Sequence, residues 1–373
     1  MTSDIFQSYL MGGFECSTHR NRAGKRVDVI ASTEHDRFAY LDYRRLLDLG
    51  IRAARDGTRW HLIERTPYRY DWSSVIEQIR AVRETGLQVI WDLFHYGYPD
   101  DLDLFGAEFI DRFAGFAGKF VELLVAEGET KPLICLVNEI SFFAWAAGEV
   151  GKFYPFAKKR GDEMKRQLVK ASIAAAVKIK QVAPNAVLIQ TDPAIRVLPS
   201  KPQNAVDATN FHNAQYHALD MLLGKTESEI GGDSSFVDVI GVNYYSYNQW
   251  RHPSGQKILR GQKDYKSFGE ILKEFYARYE KPLFIAETGI ENEARPDWFK
   301  YICDEVRVAV SDGVPVLGIC LYPIVNHPGW DNNRHCHNGL WNYANEAGRR
   351  EIYAPLAAEI RRQMNSIHKA AGI

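Results

Sequence analysis

Short runs of apolar and β-branched residues recur along the chain, and longer stretches with apolar positions at helical spacing lie between them. Strands buried on both faces read as nearly continuous apolar segments, whereas a helix packed on one side carries a stripe at i, i+3, i+4 and i+7. The short runs predict eight strands, over residues 9–14, 53–57, 88–94, 133–137, 186–190, 239–244, 283–286 and 316–321. The amphipathic stretches predict helices over 36–49, 73–85, 107–127, 162–182, 267–278, 296–311 and 353–371, with a broken helical stretch over 211–223. In the fourth of these, Leu168, Ala171, Ala175 and Ile179 form one stripe, which reads as core packing. Gly50, Gly86 and Gly313 each follow a helix, where a left-handed cap is easiest for glycine.

Strand and helix alternate eight times, the order of parallel strands joined by crossover helices. That order predicts an α/β fold, a single-domain (β/α)8 TIM barrel spanning residues 1–373. The chain exceeds the roughly 250 residues of a plain barrel, so loop insertions are expected. Segments 21–35, 196–210 and 249–265, rich in Gly, Pro, Ser, Asn and charge, are the expected irregular insertions bordering the mouth. No repeat, low-complexity tract or linker divides the chain.

Composition narrows the class. Forty-six basic against forty-seven acidic residues leave a formal charge of −1, which gives no electrostatic case for nucleic acid or an anionic membrane surface. A basic start followed by an apolar core is missing from the first 30 residues, and no 18-residue apolar run occurs, so a cytoplasmic location is expected. The five cysteines are widely spaced with no CxxC pair, as suits reduced structural thiols. Aromatic residues reach 12%; their faces would serve a carbohydrate cleft or simply fill the layers of a large barrel.

Side chains just beyond the carboxyl ends of barrel strands converge on one mouth, so polar residues there are the first candidates for chemistry. Two carboxylates stand out: Glu139 follows the apolar run 132–137, and Glu287 follows 282–286. They fall after the fourth and seventh predicted strands, whose ends can face each other across the mouth. Cleaving a glycoside with retention needs one protonated carboxyl for the leaving oxygen and one carboxylate to attack the anomeric carbon, roughly 5–5.5 Å apart.

Five collinear segments give the pair a context. Ala54-Arg55-Asp56-Gly57-Thr58-Arg59-Trp60 fits Tyr-Arg-Phe-Ser-Ile-Ser-Trp, and His95-Tyr96-Gly97-Tyr98-Pro99 corresponds to His-Trp-Asp-Leu-Pro. Leu136-Val137-Asn138-Glu139-Ile140 is similar to Thr-Phe-Asn-Glu-Pro, and Ile285-Ala286-Glu287-Thr288-Gly289 to Ile-Thr-Glu-Asn-Gly. Asp238-Val-Ile-Gly-Val-Asn243-Tyr244-Tyr245 is close to Asp-Phe-Ile-Gly-Ile-Asn-Tyr-Tyr. The chain thus resembles family 1 glycoside hydrolases, the β-glucosidase and 6-phospho-β-glycosidase group of retaining barrel enzymes, from residue 9 to about residue 343.

The resemblance implies a retaining β-glycosidase acting on a small glycoside or short oligosaccharide, with Glu139 as acid/base and Glu287 as nucleophile. It implies that Arg55 and Tyr245 hold Glu287 ionised and in place, that Asn138 bonds the sugar 2-hydroxyl, and that His95, with Asn243 close by, meets the 3-hydroxyl region. His19 aligns with a substrate-binding Gln. Neither metal nor organic cofactor is implied, and the oligomeric state stays open, as do transglycosylation and a non-catalytic carbohydrate-binding barrel.

The last strand departs from the pattern. Tyr322 stands where the family has a Trp flooring the sugar site, and Gly329, followed by Trp330, stands where a Glu grips the 4- and 6-hydroxyls. Asn326, His327 or Asp331 are candidates to replace that grip. Segment 327–337 is dense in metal-ligand types, but His335 and His337 are expected to point to opposite faces of an extended segment, which favours sugar contact or loop packing over a metal. Ile140 in place of Pro suggests a different start to the fourth crossover helix, and the shorter chain implies reduced loops on the aglycone side.

Overall fold

The computed structural model describes residues 5–332 and 334–371. Eight parallel strands close into a barrel: β1 Leu10–Gly13, β2 Ala53–Gly57, β3 Gln88–Phe94, β4 Leu133–Asn138, β5 Val187–Pro193, β6 Val239–Asn243, β7 Leu283–Thr288 and β8 Val316–Leu321. Each pairs with its neighbours in sequence, and β8 closes onto β1 through Leu10 beside Ile319 and Gly12 beside Leu321. Three strands have the bounds expected from sequence. Three others, β4, β5 and β7, run one to three residues further, into Asn138, into Thr191, Asp192 and Pro193, and into Glu287 and Thr288. The apolar signal stops there, but the backbone ladder continues and carries polar side chains to the mouth.

The surrounding helices are His35–Asp48, Ile76–Thr85, Glu108–Ala126, Gly161–Val182, Phe268–Tyr279, Arg295–Ser311 and Ala354–Ala371, with the broken connection formed by Ala205–Asn213 and His217–Leu222. Leu168, Ala171, Ala175 and Ile179 are all fully buried, on a helix packed against Glu108–Ala126. Gly50, Gly86 and Gly313 have φ of +83°, +70° and +89°, the left-handed conformation that ends their helices.

Two of the expected irregular insertions are ordered. Arg196–Pro199 pairs in parallel with Gln249–His252, which turns back antiparallel onto Gln256–Lys257, and Ala205–Asn213 is helical. Prolines and polar residues at the ends of these four-residue strands masked an alternation too short to read. Segment 21–35 contains the one-turn helix Val29–Ser32, whose Asp28 side chain accepts from the Ala31 N–H at 3.0 Å. Beyond β8 a hairpin forms from Trp341–Ala344 and Arg350–Ile352.

Two cores result. The larger lies between strands and helices, where Trp60 stacks on Phe116 with centroids 5.4 Å apart. The smaller fills the barrel interior. Phe6 and Phe284, 5.3 Å apart, close its amino-terminal end, where Gln88 bonds the backbone of Ile5 and Gln7. Further up, the interior narrows to Ala53, Cys135, Ala286 and Cys320, small enough to admit the guanidinium of Arg55. Among the described residues no helix is long and apolar enough to cross a membrane.

Outside the barrel, buried His35 lies between two carboxylates, Nδ1 2.8 Å from Asp42 and Nε2 2.9 Å from Asp56. Tyr43 and Gln78 also donate to Asp56, and Arg350 donates twice to Asp42, so the network ties the first helix to β2 and to the C-terminal hairpin. Burial opposes the imidazolium, but the carboxylates outweigh it and lift the His35 pKa to about 9. A folded-state pKa above the unfolded value of about 6.5 means a contribution present below that value and lost as pH rises through 9, on the order of 3 kcal/mol. Thermal denaturation of the wild type and of His35→Asn should therefore differ most near pH 6, with the gap shrinking toward pH 9.5; a gap independent of pH would contradict this.

Candidate active site

At the carboxyl-terminal end of the barrel, Arg55 is fully buried and every one of its five N–H donors has a partner. Nε bonds Asp92 Oδ1 at 2.9 Å, and Nη2 bonds Asp92 Oδ2 at 2.7 Å and Asn138 Oδ1 at 2.6 Å. Nη1 bonds Glu287 Oε1 at 2.8 Å and the Ala286 carbonyl at 3.1 Å. The bidentate grip on Asp92 fixes the plane of the fork, and that plane sets where Asn138 and Glu287 sit.

Both candidate carboxylates lie where strand register slips. Pairing of β4 with β5 shifts between Cys135 and Asn138, and pairing of β7 with β6 shifts between Ile285 and Glu287, leaving Glu287 beside Asn243. Such irregularities re-aim side chains. Glu139 has φ of +49°, a left-handed residue turning β4 into the one-turn helix Ile140–Phe143.

Their partners differ in charge. Glu139 accepts from the Tyr96 hydroxyl at 2.5 Å and the Asn243 amide at 3.0 Å, both neutral. Glu287 accepts from the Arg55 guanidinium and, at 2.8 Å, from the Tyr245 hydroxyl. Burial, then the charge of Glu287, raise the Glu139 pKa to about 8 against the pull of its two donors. Burial raises Glu287 as well, and Arg55 and His95 reduce that rise without reversing it. With a guanidinium on one member and neutral donors on the other, a proton held by the pair belongs on Glu139.

Around them His95 Nδ1 lies 3.0 Å from Asp92 and Nε2 lies 3.0 Å from the Asn138 amide nitrogen. Arg55 and Thr191 both donate to Asn138 Oδ1, so the amide nitrogen faces His95 and the Tyr96 hydroxyl. Burial opposes protonation of His95 while Glu15 and Asp92 favour it and lift its pKa. The Tyr322 ring lies nearly parallel to His95, 6.3 Å away, with the Arg55 guanidinium 5.2 Å from its centre. Gly13 makes this arrangement fit, because a Cβ there would come within 2.0 Å of the Tyr322 ring.

Of the sequence-predicted residues, Glu139, Glu287, Arg55, Asn138, Asn243, Tyr245 and His95 thus form one hydrogen-bonded set, with Tyr322 stacked beneath. His19 and Trp330 join through ring contacts, 4.9 Å apart, with Trp330 also 6.0 Å from Tyr96. Asn326 and His327 do not come free as a substitute grip. Asn326 bonds Gly339 and Asn342, His327 bonds Asn338 and the Pro328 carbonyl, and Asp331 is exposed. The expectation that His335 and His337 point apart is corrected. Residues two apart in an extended segment share a face, and the rings stack at 4.5 Å.

Glu15, Asp92 and Tyr96 belong to the site although the sequence reading passed over them. Asp92 is an acid inside an otherwise apolar strand, and Glu15 directly follows the first apolar run, the same position that drew attention to Glu139 and Glu287. Cys16, Asp92 and His95 bring three metal-ligand types within 4.8 Å of one another. Arg55 already engages both Asp92 oxygens and burial pushes the Cys16 thiol well up, so this donor set is spent on the guanidinium rather than arranged for an ion.

No family model matches the chain, and no curated protein matches it in sequence. Solved structures do match in shape. A family 1 β-glucosidase from Thermotoga maritima aligns over 96% of this chain and 97% of its own, with a TM-score of 0.76 and 16% identity. The β-glucosidase from Thermotoga maritima in complex with glucoimidazole aligns over 97% and 98%, with a TM-score of 0.78 and 15% identity, and its complex with deoxynojirimycin over 96% and 98%, with 0.77 and 15%. The chain shares their fold. At this identity the likeness is one of architecture, and it spans both chains almost end to end.

Removing the guanidinium would leave Asp92 and Glu287 as buried, unmatched carboxylates, a loss of about 3–5 kcal/mol. Urea denaturation of Arg55→Met should show a destabilisation of that order, and a change below about 1 kcal/mol would contradict the central place given to Arg55.

Proposed function

We propose that the chain is a retaining β-glycosidase acting by double displacement on a small glycoside or short oligosaccharide. One observation carries the reading: two buried carboxylates at one barrel mouth, one bonded by a guanidinium and the other by neutral donors only. That is the asymmetry a nucleophile and an acid require of their surroundings. The shared fold with β-glucosidases that bind glucoimidazole and deoxynojirimycin supports it. The five cysteines are all free and buried, which supports a reducing, cytoplasmic setting.

In the first step a Glu287 oxygen attacks the anomeric carbon as the bond to the aglycone breaks, and Glu139 gives its proton to the departing oxygen. A glycosyl ester on Glu287 and a free alcohol result. Esterification removes the negative charge that had raised Glu139, so its pKa falls and it becomes a base when a base is needed. Glu139 then takes a proton from water, the water oxygen attacks the anomeric carbon, and the carbon–Glu287 bond breaks, restoring both groups. Arg55 and Tyr245 hold the departing carboxylate, while the Asn138 amide nitrogen, oriented by Arg55, faces the 2-hydroxyl region.

A 2-fluoro glycosyl fluoride should label Glu287, read as a mass increase on its peptide; labelling elsewhere would refute the assignment. Glu139→Ala should abolish turnover of glycosides with poor leaving groups and spare activated aryl glycosides, with azide restoring the second step, whereas equal loss on both substrate types would make Glu139 structural. In the wild type kcat/KM should decline as pH rises through about 8, when Glu139 loses its proton. Tyr96 donates to that carboxylate and pulls its pKa down, so Tyr96→Phe should move the basic limb upward; an unmoved limb would separate Tyr96 from the titrating group.

A further inference from the structure

A third carboxylate faces the same mouth. Glu15 follows β1 and is nine-tenths buried; Oε1 accepts from the Ser17 backbone N–H at 2.9 Å and lies 3.7 Å from His95 Nε2, while no described protein group donates to Oε2. Burial opposes its charge, yet His95, His327 and the Ser17 donor overcome this and keep its pKa below the ordinary value, so it is an anion at neutral pH.

Next to it are further unmatched polar atoms. His19 is fully buried with neither ring nitrogen bonded, and the Trp330 indole N–H, 4.9 Å away ring to ring, has no acceptor. Burial holds the His19 pKa down to about 3, so its ring is neutral and offers one donor and one acceptor. The side-chain oxygen of Asn243, whose amide nitrogen bonds Glu139, is also unpaired. Buried polar groups are ordinarily satisfied. A cluster of unsatisfied donors and acceptors around an anion is what a polyhydroxylated ligand would complete.

Charge then decides which polyol. With Glu139 protonated, the three carboxylates Glu15, Asp92 and Glu287 outnumber the cations Arg55 and His95. Three basic side chains near the rim are committed to carboxylates: Arg20 and Arg26 to Asp100, Arg334 to Glu291. Nothing in this set awaits a phosphate or a second carboxylate.

We propose that Glu15, His19 and the Trp330 indole form a hydroxyl-reading subsite on the β1 side, with Glu15 accepting from sugar hydroxyls, and that it admits uncharged glycones and rejects glycuronates and sugar 6-phosphates. The proposal takes its location from the glycosidase reading but does not depend on hydrolysis, so free sugars test it separately.

Isothermal titration would use glucose, galactose, mannose, fucose and xylose, against glucuronate, galacturonate and glucose 6-phosphate. The tightest neutral sugar should bind about tenfold or more tighter than any anionic one. Glu15→Gln, which keeps the acceptor for Ser17, should weaken that neutral sugar about tenfold and narrow the preference, and Trp330→Phe, which removes the indole N–H, should weaken the same sugar. Unchanged melting temperatures would show that both variants fold; if Glu15→Gln does not, the Trp330→Phe result decides. An anionic sugar binding tightest, no sugar binding at all, or affinities unmoved in the folded variants would overturn the proposal. Neutral sugars binding as expected while no glycoside is hydrolysed would overturn the glycosidase reading alone.

Discussion

The mouth of this barrel is organised by one buried cation. Arg55 sits where the interior side chains become small, and its five donors reach an acid on β3, an amide on β4, and an acid and a carbonyl on β7. A guanidinium is planar and rigid, so satisfying it fully leaves its partners little freedom. The cost of burying it is met only because two carboxylates and two carbonyl-type oxygens are already in place around it. The polar mouth is therefore a consequence of one residue on β2, and the strand register slips at Asn138 and Glu287 are the local adjustments that bring their side chains to it.

The same cation gives two chemically identical side chains different characters. Glu139 and Glu287 are both buried glutamates at strand ends. Only one touches the guanidinium, and the other is left with a phenol and an amide. Burial alone would raise both, and the difference between their surroundings comes from neighbours, not from depth.

Much of this was legible in the sequence because burial on both faces of a strand leaves an unbroken apolar signature, and eight such signatures alternate with amphipathic helices. Glu139, Glu287, Arg55, Asn138 and Asn243 stood out as polar residues at the ends of those runs. Tyr96 did not, because an aromatic after a strand reads as packing until its hydroxyl is seen against Glu139. Glu15 follows the first apolar run as the other two glutamates follow theirs, but it lies in none of the five segments that carry the resemblance. The small sheet built from segments around 196–199 and 249–257 was read as irregular, since strands of two to four residues cannot display a period. His335 and His337, two apart in an extended segment, share a face, as their stacked rings show.

Phe6 and Phe284 seal the amino-terminal end of the interior, and the layers above them are filled by side chains up to Arg55. The barrel therefore has one door. Anything reaching the carboxylates arrives and departs on the same side, so under the proposed double displacement an alcohol released in the first step would stand in the path of the incoming water until it left. Timing between the two half-reactions would then be set by how long the outgoing molecule lingers in that passage.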